Sequence, residues 1–135
     1  MARKKIMARK ILIIEDDVST SQFLSYTMER EGYQVLTALD GIEGLKKALA
    51  EKPDLIILDI MLPGLDGFEL CHRLRAHAPA ANIPVLMLSA KAQDADKSAA
   101  LKMGANYYIV KPADPAKIAD AVKDMLKEPS PGAIK

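Results

Sequence analysis

Four short apolar runs each end in a polar residue, and no other pattern constrains the fold of this chain as much. Leu55-Ile56-Ile57-Leu58 ends at Asp59, with Pro63-Gly64 close behind. Ile11-Leu12-Ile13-Ile14 ends in Glu15-Asp16-Asp17, Val85-Leu86-Met87-Leu88 in Ser89, and Tyr108-Ile109-Val110 in Lys111-Pro112. Unbroken runs of this length read as strands buried on both faces. A carboxylate at the end of such a strand stands at the rim of a sheet, away from its core. In an open parallel α/β sheet that carboxyl edge is where ligands bind.

Helical spacing fills the gaps between the runs. Leu24 and Met28 are four apart, and Gly32 offers a stop after them. Ile42, Leu45 and Leu49 form an apolar stripe that Pro53 ends. Cys71 and Leu74 repeat in the segment starting near Gly67, and Gln93 to Met103 is helical in composition with Gly104 beyond it. Ile118, Val122 and Leu126 mark a last helix, with Met125 beside them. A weaker strand, Tyr33 to Ala38, follows the first helix. The order is strand then helix, five times over. Right-handed crossovers then give a parallel sheet with helices on both faces. The pattern alone leaves strand order open.

A chain of 135 residues holds one core. Its formal net charge of +1 supplies no field for nucleic acid or a membrane surface. Cys71 is the one cysteine, which excludes an internal disulfide and suits a reducing compartment. The apolar run behind the basic start is too short for a signal segment or a membrane span, so a cytoplasmic location is expected. Met1-Ala2-Arg3-Lys4-Lys5-Ile6 is nearly repeated in Met7-Ala8-Arg9-Lys10-Ile11-Leu12. Residues 1–8 read as a flexible basic tail, 9–127 as one folded domain and 128–135 as a second flexible tail.

Glu15, Asp16 and Asp59 brought together would repel one another. Two carboxylates about 4 Å apart cost roughly 4 kcal/mol at an effective dielectric near 20. Such a group needs a cation, or one member keeps its proton. Oxygen ligands suit a hard ion, Mg²⁺ above all. His72 and His77, with a single cysteine, do not make a zinc set. Adding Lys111 and Ser89 gives an ammonium, a hydroxyl and Mg²⁺ around one carboxylate, a receptor for phosphoryl oxygens. Asp59 would be the nucleophile, with Lys111 and Mg²⁺ balancing charge and Ser89 donating a hydrogen bond. Taken singly, each residue has a plainer reading. Asp17 suits a helix N-cap, Ser89 a loop, Lys111 a solvated surface, and Tyr107 and Tyr108 a half-buried strand.

At this point the chain resembles the receiver domain of bacterial response regulators, chemotaxis regulators among them. The likeness lies in Ile11 to Asp17, Asp59 to Gly67, Ser89-Ala90 and Gly104 to Pro112, and spans roughly residues 9–127. It implies a flavodoxin-like five-stranded doubly wound parallel sheet of order 2-1-3-4-5. It also implies that Asp59 is the phosphoacceptor. Asp16 would ligate Mg²⁺ directly and Glu15 through water, with the backbone carbonyl of Met61 completing the protein ligands. Ser89 and Lys111 would hold the phosphoryl group, behind a cis Lys111-Pro112 bond. Tyr108 matches an aromatic switch position and Ala90 a small one that leaves the group accessible. Met61 and Lys91 match positions that tune dephosphorylation, and Tyr107 has no assigned role.

The function so implied is a phosphorylation-dependent signalling switch that assists its own phosphorylation and dephosphorylation but is not otherwise an enzyme. A histidine kinase or phosphotransfer protein would be the donor, and small donors such as acetyl phosphate could substitute. The new charge would draw Ser89 toward the phosphoryl oxygens and let Tyr108 move inward. Output would pass through the fourth helix, last strand and last helix to a protein target, with Lys97, Lys102, Lys117, Asp120 and Lys123 as candidate contacts. A stand-alone chain, monomeric or weakly dimeric and without direct nucleic-acid or membrane contact, is expected because the last helix lacks arginine. Three alternatives stand beside it: a receiver cut from a longer DNA-binding or enzymatic regulator, a Mg²⁺-dependent phosphohydrolase with an aspartyl nucleophile, and a degenerate docking module.

Overall fold

A computed structural model describes residues 8–127. The two tails expected from the sequence fall almost wholly outside the described residues. Among the described residues the chain forms β1 (Lys10–Ile14), α1 (Val18–Arg30), β2 (Gln34–Ala38), α2 (Gly41–Glu51), β3 (Leu55–Leu58) and α3 (Gly67–Arg75). A 3-10 turn at Ala80–Asn82 precedes β4 (Val85–Ser89), α4 (Asp94–Lys102), β5 (Tyr107–Val110) and α5 (Pro115–Leu126). All strand pairings are parallel and the order is β2-β1-β3-β4-β5. None of the described helices is long and apolar enough to cross a membrane.

Strand alternation builds two cores. Leu12, Ile14, Ile56, Leu58, Val85 and Met87 face α2, α3 and α4, packing against Ala48, Leu70, Cys71, Leu74 and Ala100. Ile11, Ile13, Leu55, Ile57, Leu86 and Leu88 face the other way, onto Leu24 and Met28 of α1 and Ile118 and Val122 of α5. This is why the three central strands are apolar throughout residues 11–14, 55–58 and 85–88. Each fully buried Leu or Ile contributes about 2 kcal/mol, so the strand frame under the rim is stiff.

The expected stripe on α2 is met in part: Leu45 and Leu49 pack against the core, and Ile42 does not. Ile42 is exposed, Leu45 and Leu49 are only half-buried, and the buried face is Gly41, Gly44 and Ala48. The spacing is the expected one displaced by a single residue. Small residues hold that face because a β-carbon at Gly44 would stand 2.6 Å from the Ile14 side chain of β1.

Helix ends follow their caps. The side chains of Asp17, Asp40, Asp66 and Asp114 accept backbone N–H groups of Thr20, Glu43, Glu69 and Ala116. The Lys111-Pro112 bond is cis, as expected, and Ala78-Pro79 is cis as well.

Candidate functional site

Register sets the site. Ile14 lies beside Leu58 and Ala38, so the residues that follow on β1 and β3 meet at the same height. The Glu15 N–H donates to the Ala38 carbonyl (3.1 Å) and the Asp59 N–H to the Ile14 carbonyl (3.2 Å), carrying the ladder to the rim. On the other side Ser89 pairs with Val110, and the Lys111 N–H donates to the Ser89 carbonyl (2.9 Å). Four strand ends thereby present Glu15, Asp16, Asp59, Ser89 and Lys111 at one edge.

Glu15 and Asp59 are 3% and 8% exposed, Ser89 is fully buried, and Asp16 stands in solvent. The Lys111 ammonium donates to Glu15 Oε1 at 2.6 Å and to Asp59 Oδ2 at 3.1 Å. The remaining oxygens of both acids also have partners. The Asp17 N–H donates to Glu15 Oε2 (3.0 Å) and the Met61 N–H to Asp59 Oδ1 (3.2 Å). Burial holds the Glu15 carboxyl above its usual range, against the pull of Lys111 and the Asp17 N–H. Burial also works against the Lys111 ammonium, but its bonds to Glu15 and Asp59 prevail and raise its pKa.

One oxygen from each of Glu15, Asp16 and Asp59 lies within 4.8 Å of the others. Three carboxylates thus face one ammonium, leaving negative charge in a partly dry pocket. An all-oxygen donor set with open solvent at Asp16 suits a hard divalent ion that keeps some of its waters, so these residues fit Mg²⁺.

The other expected positions surround this pocket. The Met61 side chain is exposed beside Asp59. The Tyr108 hydroxyl donates to the Lys91 carbonyl (2.7 Å), and the Lys91 N–H donates to Ser89 Oγ (3.3 Å). The tyrosine is therefore half-buried and tied to the β4–α4 loop in this state, with its hydroxyl pKa raised by burial. Ala90 lies open in a cleft of about 500 Å³ with Thr20, Phe23, Leu24, Lys111 and Pro112. Asp17 caps α1, accepting from both the N–H and the hydroxyl of Thr20.

Of the candidate contacts, Lys102, Lys117 and Asp120 are exposed and Lys97 is half-buried. Lys123 turns toward α1 instead, where its ammonium pairs with Glu31 at 3.0 Å. Sequence reasoning missed the apolar members of the α4–β5 face, Leu101, Met103 and Tyr107, all exposed. It also missed that Lys111 bonds Glu15 more closely than Asp59, since nothing in the spacing ranks two acids as partners of one lysine.

Residues 11–123 match the response regulator receiver domain family. The alkaline phosphatase synthesis transcriptional regulatory protein PhoP of Bacillus subtilis (strain 168) is 48% identical over 121 residues. That match takes in 90% of this chain and 50% of the relative, so the chain spans about half the length of that curated relative. The crystal structure of the chemotaxis response regulator CheY4 of Vibrio cholerae superposes with a TM-score of 0.84 at 32% identity, covering 89% of this chain and 100% of that one. The receiver domain of a sensor histidine kinase from Pseudomonas aeruginosa PAO1, solved with a magnesium ion coordinated in the active site cleft, gives 0.83 at 28% identity, covering 89% and 98%.

Proposed function

This chain belongs to the response regulator receiver domain family, and from that premise we propose that Asp59 accepts a phosphoryl group from a phosphohistidine. The observation that carries the proposal is the Lys111 ammonium held between Glu15 and Asp59 at the strand rim. One Asp59 carboxylate oxygen forms the new O–P bond. The P–N bond to the donor imidazole breaks, and its electron pair leaves with the ring nitrogen. Lys111 is placed to follow the charge as it moves from the Asp59 carboxylate to the phosphoryl oxygens. Ser89, fully buried at the end of β4 between the strands that carry Asp59 and Lys111, supplies a hydroxyl. Glu15, Asp16 and Asp59 would hold Mg²⁺, which when bound offsets the charge of the carboxylates and the phosphoryl oxygens.

The state change is read in the β4–α4 loop. A phosphoryl group that recruits the Ser89 hydroxyl competes with the Lys91 N–H now bonded to it, and Lys91 is also where Tyr108 is tied. Ser89 and Tyr108 thus pass the change to α4, β5 and α5, whose exposed face meets a protein target. The chain assists its own phosphorylation and the later hydrolysis of the acyl phosphate, in a cytoplasmic relay fed by a histidine kinase or phosphotransfer protein. The receiver family assignment displaces the phosphomonoesterase reading, and the intact acids, hydroxyl and lysine argue against a degenerate docking module.

A second reading concerns output. The Bacillus relative is a transcriptional regulator about twice as long as the match. The same switch would then serve an attached DNA-binding unit, and the mass of the protein purified from its own cells tells the two apart.

Intact mass after incubation with acetyl phosphate and Mg²⁺ tests the switch. One phosphoryl adduct that disappears with chelator and in Asp59→Asn is expected. An adduct that persists in Asp59→Asn, or none at all even though beryllofluoride is also offered, overturns it.

A further inference from the structure

We propose that Gly41, the first residue of α2, is a positioning residue for this site, acting through the loop that runs from Asp59 to Gly67; the proposal rests on the phosphoacceptor reading above. Gly41 is buried against that loop, although it is 18 residues before Asp59 in sequence. A β-carbon on Gly41 would overlap the carbonyl oxygen of Leu65 and stand 2.8 Å from both the carbonyl carbon and the Cβ of Leu65. The Gly41 N–H also points to the Pro63 carbonyl at 3.4 Å. Beside it, the Ile42 side chain covers Gly64, with Cδ1 3.5 Å from where a β-carbon on Gly64 would lie. The N-terminal turn of α2 is therefore a wall on which the loop rests.

The wall is firmer than an ordinary helix end. Asp40 accepts the Glu43 N–H (2.8 Å) and Glu43 accepts the Leu39 N–H (3.0 Å), closing both sides of the cap. One turn on, Gly44 sits directly on Ile14 of β1. The loop is knotted by its own bonds as well. The Leu62 N–H donates to Ile60 (3.1 Å), Leu65 to Pro63 (3.0 Å) and Gly67 to Ile60 (2.8 Å). Gly67 lies against the backbone of Asp59 and Ile60, so close that a β-carbon would overlap the Asp59 carbonyl oxygen. Such a loop moves as one piece. Pushing Leu65 off α2 shifts Met61 with it, and the Met61 N–H is the group that holds Asp59 Oδ1. The acceptor carboxylate would then turn relative to Lys111, and misplacements of about 1 Å at a reacting centre cost up to about a hundredfold in rate.

Gly41→Ala tests this against Ala48→Gly, which loosens the buried face of the same helix two turns away from the loop. Both are measured beside the parent protein, well below their melting temperatures. Readouts are Mg²⁺ affinity, the initial rate of acetyl-phosphate labelling, and backbone amide shifts in metal-free protein. Expected for Gly41→Ala are a loss of about tenfold or more in both affinity and rate, and amide shifts centred on residues 59–67. Ala48→Gly should keep both within about twofold at a comparable loss of melting temperature. Unchanged affinity and rate in Gly41→Ala, or equal losses in the two variants, overturn the proposal. If Gly41→Ala does not fold, Ile42→Ser replaces it, stripping the second contact from an exposed position. Its amide shifts must then centre on the same loop and its Mg²⁺ affinity must fall, and no change in either overturns the proposal. A parent protein that takes no label removes the phosphoacceptor reading, while the metal-free shifts still judge the wall.

Discussion

Lys111 Nζ lies 2.6 Å from Glu15 Oε1, nearer than its 3.1 Å contact with Asp59 Oδ2. Without a metal, the ammonium is the counter-charge of the acid pocket. On the proposed reading Lys111 and Mg²⁺ would compete for the same carboxylates and cooperate only once a phosphoryl group adds negative charge. Lys111→Met should bind Mg²⁺ more tightly than the parent and yet label from acetyl phosphate about a hundredfold more slowly. Weaker Mg²⁺ binding in Lys111→Met would show that the lysine builds the pocket more than it competes within it.

Glu15 gives the pocket a pH dependence. Burial is the largest influence raising its carboxyl above 4.5 in the fold, with the Asp59 charge adding to it and Lys111 opposing. A carboxyl whose folded pKa is raised favours the fold while protonated. That stabilisation is present below 4.5 and is lost as pH rises through the folded value. Metal-free Glu15→Gln should therefore melt higher than the parent at neutral pH, with the gap closing in acid. Mg²⁺ needs the carboxylate, so its affinity in the parent should fall as pH drops toward the raised value. Melting curves and Mg²⁺ titrations across the acid range check both, and a Gln variant that melts lower at neutral pH contradicts the sign.

Much of this pocket was legible in sequence because the three central strands carry unbroken apolar runs, 11–14, 55–58 and 85–88, and each run stops at a polar residue. Asp59 after Leu55–Leu58 and Lys111 after Tyr108–Val110 could be placed at a rim without knowing strand order. The helices were less transparent. On α2 the eye follows Ile42, Leu45 and Leu49, whereas close approach to Ile14 and Leu65 gives the inner face to Gly41, Gly44 and Ala48. Counting large apolar residues rotates that helix by one position, since a glycine seat carries no hydrophobic signal. Contacts between side chains and distant backbone carbonyls were invisible for another reason: any lysine, arginine or tyrosine can reach some carbonyl, and only the fold says which.

Arg75 is the clearest of these. Its guanidinium donates to the carbonyls of Gly104 (2.7 Å), Ile83 (2.7 Å) and Ala81 (3.2 Å) and to Asn106 Oδ1 (2.9 Å). Asn106 Oδ1 also accepts the Val85 N–H (2.9 Å), so the end of α3, the start of β4 and the α4–β5 turn share one hub. Arg75→Ala should cost about 2–4 kcal/mol in denaturant unfolding, because several carbonyls lose a planar donor together. Arg75→Lys should recover less than half of that, as one ammonium cannot span the same set. Hydrogen exchange should quicken first at Gly104 to Asn106, and a cost within about 0.5 kcal/mol would mean that water replaces the hub.

Tyr108 ties β5 to the β4–α4 loop through its hydroxyl, which donates to the Lys91 carbonyl at 2.7 Å. The ring is half-buried and its hydroxyl also interacts with the Ser89 side chain, so Tyr108→Phe removes the tie and that contact while leaving the ring in place. Stability should fall by about 1 kcal/mol. Labelling of Asp59 should stay within about twofold of the parent, since Lys111 and Glu15 keep their places. The change belongs in the loop, where amides from Ala90 to Gln93 should exchange faster before phosphorylation. If the tie carries the signal, the phosphorylation-induced difference in α4 exchange should shrink in Tyr108→Phe while labelling persists. A labelling rate that drops as far as in Lys111→Met would place Tyr108 in the chemistry itself and sink its role as a relay.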